Sequence, residues 1–312
     1  MVTFFRITGL SLCLAFVFSG CNFSSDEQTG ENLQQSTYPS APDSSQYLKL
    51  ANFLSDKERD SIIMQKTTLK DGTVRKVGMK PLPQNGDDFR NISLDNVYWH
   101  KVSVIGGDFR GASMRSAKCE ESVFDSSDFR VADIRWTRFD HSHLSYCKFS
   151  QAKLFHDHVN NAILEGSDFR GANMFGMEGH HTNMRNCDMT NALLKDAEFT
   201  YSDFTHSLAV HARLIRAVMN HSIFDSTNFS LCDFTGGRLE GARFAQANLE
   251  GSNFQGAHLQ EAVFRGTNLK NCTFYGASLK NTIFKNCINI PDHIKKLIVD
   301  DQITGIVETQ IK

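Results

Sequence analysis

Ala242-Arg243-Phe244-Ala245-Gln246-Ala247-Asn248-Leu249-Glu250-Gly251-Ser252-Asn253-Phe254-Gln255-Gly256 is one five-residue unit written three times. Each unit opens on a small residue (Ala242, Ala247, Ser252) and carries a large apolar one two places later (Phe244, Leu249, Phe254). Extended in both directions, this register runs unbroken from Phe89 to Phe284, forty positions long. Seventeen are Phe, eleven Leu, five Met and two Val, with one Ile and one Trp; only Cys119, Gly179 and Ala209 are small. Two residues earlier, thirty-four of forty are Ala, Ser, Thr, Cys or Gly. A repeat this strict means that each unit buries its apolar residues only by stacking on its neighbours.

A helix needs apolar spacings of three and four, and a strand needs alternation; a pure period of five fits neither. It fits a chain that points in, out and in again, then turns a corner. The register residue and the one two before it face inward, and alternating large with small fills the interior. The coil size follows from Asp-Phe-Arg, which recurs at Asp88-Phe89-Arg90, Asp108-Phe109-Arg110, Asp128-Phe129-Arg130 and Asp168-Phe169-Arg170. Those separations are multiples of twenty, so four units close a coil and forty units make ten. At about 4.8 Å per coil the rod would be roughly 48 Å long. One inner edge then ends in an unbroken column, Phe204, Phe224, Phe244, Phe264 and Phe284.

Units such as Ala247-Asn248-Leu249-Glu250-Gly251 and Ala172-Asn173-Met174-Phe175-Gly176 resemble the pentapeptide-repeat family over residues 87–287. The resemblance implies an all-β solenoid, a right-handed quadrilateral β-helix. It implies no single function, because the family includes inhibitors of DNA gyrase, effector domains and proteins of other roles.

The ends carry the address. Residues 1–20 have a basic start, an apolar run from Ile7 to Phe18 and small residues before Cys21, as a secretory signal does. The run is too short to span a bilayer. Phe18-Ser19-Gly20-Cys21 resembles a bacterial lipoprotein signal, which implies that Cys21 is acylated, and Asn22 favours the outer membrane. Residues 21–46 read as a disordered tether. Residues 47–86 predict a helix and a hairpin turning at Lys70-Asp71-Gly72-Thr73, capping the first coil. Residues 288–312 predict a C-terminal capping helix, opened by Pro291-Asp292, and a tail.

The solenoid carries 21 Lys and Arg against 23 Asp and Glu, a net of −2. That near-balance, together with export, argues against a DNA-mimic that binds gyrase, and it supports no nucleic-acid partner. Eight Cys in an exported chain suggest disulfides. The register contradicts this: Cys147, Cys187, Cys232, Cys272 and Cys287 take small inward positions, and Cys119 a large one. Nearest pairs on one edge lie two coils apart, beyond disulfide reach.

Three groups of outward residues are candidate sites. The Asp/Arg pairs form ladders, read as exposed ion pairs. Asp140, His158, Glu178 and His180 share one face beside the inward Asp157 and the vacated Gly179, an arrangement that could hold a divalent ion. The stronger reading is a hydrogen-bonded polar ladder, with no metal and no cofactor. No nucleophile–base pair or phosphate loop stands out, so the chain does not read as an enzyme. Finally, Phe155, Phe175, Leu208, Val210 and Ile215 point outward, and aligned apolar residues make a patch. The leading expectation is a lipid-anchored scaffold of the outer membrane, facing the periplasm. Its partners would be other envelope proteins, with the membrane reached through the N-terminal lipid. A metal-binding protein or enzyme on the His/Asp/Glu face, and a gyrase-binding DNA-mimic, are the alternatives.

Overall fold

The computed structural model describes residues 66–68, 74–76, 83–299 and 305–306. The expected signal segment, Cys21, the tether, the helix predicted over 46–65 and the Lys70–Thr73 turn lie outside these residues. Two short strands, β1 (Lys66–Thr68) and β2 (Val74–Lys76), pair antiparallel.

From residue 83 onward the backbone winds as a coil of period twenty. Parallel bridges join each outward mid-side residue to the one twenty later, from Asp88–Asp108 through to Asn268–Ile288. Each bridge uses both backbone groups of its residue: the Asp128 amide donates to Gly107 O at 2.9 Å, and Asp128 O accepts from the Phe109 amide at 2.8 Å. Only two segments of the coil are continuous enough to be strands, β3 (Val263–Arg265) and β4 (Ile283–Lys285), paired parallel. Sides this short leave one bridged residue between corners.

The corners explain the period. From Gly86 to Asn286, every fifth residue has a positive φ. In the turn at Phe109–Ala112 the third residue, Gly111, has φ 67° and the Ala112 amide donates to Phe109 O at 2.9 Å. A left-handed third residue with that closing bond is the mark of a type II turn. Gly and Asn tolerate it best, and they recur in this column. Val131 (φ 61°) and Leu231 (φ 58°) adopt it too, at a cost for L side chains.

Large inward residues stack in register. Along the Phe204, Phe224, Phe244, Phe264 and Phe284 column the ring centroids lie 5.1, 4.8, 4.8 and 5.0 Å apart, almost coplanar in tilt. These rings are completely buried, and the stacking adds to ordinary apolar burial. Small inward residues do a second task. Ser142 Oγ donates to Cys119 O at 2.8 Å and accepts from the Ser122 amide at 3.0 Å, tying its coil to the one before at two points. The thiols of Cys147, Cys187, Cys232 and Cys272 donate to the equivalent carbonyls of the coil before. All six described cysteines are free.

At the far end, helix α1 (Asp292–Val299) sets Ile294 and Ile298 into the core and Leu297 against it. Beyond it, β5 (Gly305–Ile306) pairs parallel with β4. The tail therefore returns as an extra rung on one side, a feature with no periodic signal in the sequence. No helix among the described residues is long and apolar enough to cross a membrane.

Candidate docking surface

A four-sided coil has four corners, and one of them is aromatic. The Phe155 and Phe175 rings stack at 5.0 Å, one coil apart. Trp136, in the corner column beside them, meets Phe155 edge-on at 5.9 Å and is 46% exposed. The His156 ring lies edge-on to Phe155 (4.3 Å) and Phe175 (5.6 Å), with Nδ1 3.1 Å from Gly176 O. That position needs Gly176, because a Cβ there would sit 2.4 Å from the imidazole. Cations close both ends: the Arg135 guanidinium lies 5.3 Å from the Trp136 centroid and Lys195 Nζ 5.8 Å from that of Phe175.

The five apolar residues expected at the surface do not form one patch. Phe155, Phe175 and Ile215 share this corner column, and Val210 sits on the adjacent corner. Leu208 lies mid-side, bridged between Asp188 and Asn228. All five are half-buried rather than exposed, because coils about 4.8 Å apart shield each outward residue from above and below. The more exposed apolar positions are others, among them Trp136, Val131, Tyr146, Leu231 and Tyr275. Period counting put Trp136 and His156 among solvent-facing residues without distinction. The signal that could have found them is their place in the left-handed corner column, where aromatic rings project farthest.

Asp140, His158, Glu178 and His180 separate into pairs. His158 Nδ1 lies 3.1 Å from Glu178 Oε2. Asp140 Oδ1 accepts from Asn160 Nδ2 at 2.8 Å, and its Oδ2 accepts from Arg138 at 3.3 Å. His180 Nδ1 meets Thr200 Oγ1 at 2.6 Å, and its Nε2 faces Glu198 at 3.8 Å. Among the described residues no three His, Cys, Asp or Glu side chains gather as a metal site would require. Gly179 vacates no cavity either: a Cβ would meet the Phe199 ring at 2.3 Å, so the ring of the next coil fills the space.

The Asp/Arg ladder lines an open groove of about 1210 Å³ with Lys148 and Tyr146. Each arginine grips the aspartate of its own coil, as Arg110 Nη2 does Asp108 Oδ2 at 2.6 Å. Hydrogen bonds from Arg90 hold the Asp88 carboxyl down to about 2. Burial pushes the Asp168 carboxyl up, but bonds from Arg170 and Ser150 outweigh it and bring it to about 2. The groove's arginines are therefore already paired, and Lys148 is the cation among its described lining residues that makes no ion pair.

Coils of twenty residues, small and large inward columns and type II corners are the physical content of one known repeat. Pentapeptide repeats match in eight copies, over residues 108–145, 132–176, 180–208, 212–251 and 247–286, more than half of the chain. The chain belongs to the pentapeptide-repeat family. Among solved members, full-length QnrB1, a plasmid-mediated fluoroquinolone resistance protein, is 18% identical over 64% of this chain and 99% of its own, with a TM-score of 0.40. HetL, a pentapeptide repeat protein involved in heterocyst differentiation regulation in Nostoc sp. strain PCC 7120, is 19% identical over 61% of this chain and 90% of its own, TM-score 0.26. A pentapeptide repeat protein of the Arabidopsis thaliana thylakoid lumen is 21% identical over 41% of this chain and 85% of its own, TM-score 0.29. No curated protein sequence matches the chain.

Proposed function

We propose that this pentapeptide-repeat protein is a lipid-anchored, non-enzymatic binding module of the bacterial outer membrane. Its rod docks, on the periplasmic side, onto other envelope proteins as a subunit of a larger assembly. The observation that carries this reading is the Trp136–Phe155–Phe175 corner, an aromatic surface that the isolated rod leaves partly in water. Covering it removes apolar area from solvent at about 25 cal/mol per Å². The sides of the coil have their mid-side backbone groups taken up by neighbouring coils, so a partner must bind them through side chains.

In the same reading the rod is a right-handed β-helix of ten coils. Residues 47–86 close its first coil, where Phe89, Val97 and Trp99 are only partly buried. Residues 288–312 close its last through α1 and β5. Cys21 supplies the anchor and residues 22–46 the reach, about 25–30 Å for a flexible chain of that length.

The anchor is tested by fractionation. Wild-type protein should sediment with membranes and take up labelled palmitate, and Cys21→Ser should lose the label. Unlabelled wild-type protein in the soluble periplasmic fraction would refute the anchor.

A further inference from the structure

We propose that the aromatic corner receives an extended, acidic, aromatic-bearing segment of the partner protein, an inference that rests on the docking role above. Positive charge is left over at this corner. On most of the rod, arginines are matched: Arg115 with Asp95, Arg135 with Asp133, and Arg216 with Asp196. Around the aromatic corner three cations are not. Lys153, Lys195 and Arg213 have no ion pair among the described residues. Asp133 and Asp196, the carboxylates whose fields reach Lys153 and Lys195, are each already held by both arms of an arginine fork. Asp233, bridged to Arg213, offsets one of these charges, so Lys153, Lys195, Arg213 and Asp233 leave the border of the stripe net positive, while in the larger groove each arginine has its own aspartate. An aromatic surface with a cationic rim complements a ligand that brings apolar side chains and carboxylates together.

The layout also sets the ligand's shape. The bridged column Lys153–Asn173–Leu193–Arg213 runs up one side, next to the corner column Phe155–Phe175–Lys195–Ile215. From Trp136 to Ile215 the patch climbs four coils, roughly 19 Å, the length of about six residues in extended form. Carboxylates one and two coils apart on such a segment would meet Arg213, Lys195 and Lys153, and an aromatic residue between them would lie against Phe155 and Phe175. Lys195 already sits over the Phe175 ring, so it can pair with an arriving carboxylate while keeping its ring contact.

The test places a photo-crosslinking phenylalanine analogue at position 155 of the full-length chain in its native cells, with a second version at Tyr146 on the diagonally opposite corner. The crosslinked peptide is then sequenced by mass spectrometry. Position 155 should capture a segment of another protein that holds two or more Asp or Glu and at least one aromatic residue. Combining it with K153E, K195E and R213E should lower the yield about tenfold or more, with thermal stability unchanged. Capture of a segment without carboxylates, of a second copy of this chain, or at 146 but not 155 would overturn the inference; the last of these would leave the docking role standing. Capture at neither position would remove both.

Discussion

Asp157 Oδ1 accepts the amide proton of Thr137 at 2.8 Å, on an inward position where nearly every other unit has a small residue. Its other oxygen, Oδ2, is buried without a hydrogen-bond partner, and burial pushes the carboxyl well above its ordinary range. Neighbouring hydroxyls show what the site asks for: they accept an amide and donate to a carbonyl. Asp157 can do both only when it carries a proton. Because the folded state holds that proton and the unfolded chain releases it near pH 4, stability falls as pH rises from about 4 through the raised folded-state value. Asp157→Asn keeps the acceptor and supplies a permanent donor. It should raise the Tm at about pH 8, leave it unchanged near pH 4, and flatten the slope between them. A variant with the wild-type pH slope would show that Asp157 is not the titrating group.

The two phenylalanine environments predict unequal costs. Phe244 is fully buried between Phe224 and Phe264, each 4.8 Å away. Its replacement by Ala should cost about 3–5 kcal/mol in chemical unfolding. Phe155→Ala loses one half-exposed stack and should cost about 1 kcal/mol. Equal costs would contradict the register.

The cysteines divide by column. Cys147 Sγ donates to Phe124 O at 3.0 Å, in a position that Ser fills on other coils, so Cys147→Ser should change stability by less than about 1 kcal/mol. Cys119 faces inward in the large column, where a serine hydroxyl would be buried without a partner, and Cys119→Ser should cost about 1–3 kcal/mol. Burial raises the Cys187, Cys232 and Cys272 thiols to about 12, so a maleimide should label none of the five buried cysteines before unfolding, and only the half-buried Cys287 should react at all.

Val131 is 61% exposed with φ 61°, a conformation that strains a β-branched residue. Val131→Gly relieves the strain and forfeits little burial, so it should stabilise the rod by about 1 kcal/mol in denaturant titration. A loss of stability would mean that the corner conformation is not set by the turn.

The sequence carried the inward columns almost completely, because a period with no insertion leaves each side chain one place to go. The Phe204–Phe284 stack follows from counting alone. The corners were less legible. Gly106, Gly111, Gly166, Gly171 and Asn191 all fall in the left-handed column, and that enrichment was the available signal for turn type. Surface grouping held for Phe155, Phe175 and Ile215, which share a corner column, and failed for Leu208 and Val210 for a geometric reason. Being outward is one property, but which of four corners a residue occupies decides whether it meets another, so Phe155 and Phe175 touch while Leu208 and Val210 lie elsewhere. Asp140 and His180 share a column yet bond to different coils, because each polar side chain finds a partner one coil away before it reaches a third group. The return of β5 onto β4 leaves no periodic trace at all.

The docking account is tested most directly by the double variant Phe175→Asp and Ile215→Asp, assayed for co-purification from solubilised native membranes. Both changes put carboxylates on the aromatic corner and leave the inward columns intact. The account predicts that the variant folds with its β signature and a melting temperature close to wild type, stays in the membrane fraction, and loses the proteins that co-purify with the wild type. Undiminished co-purification by a folded double variant would contradict it.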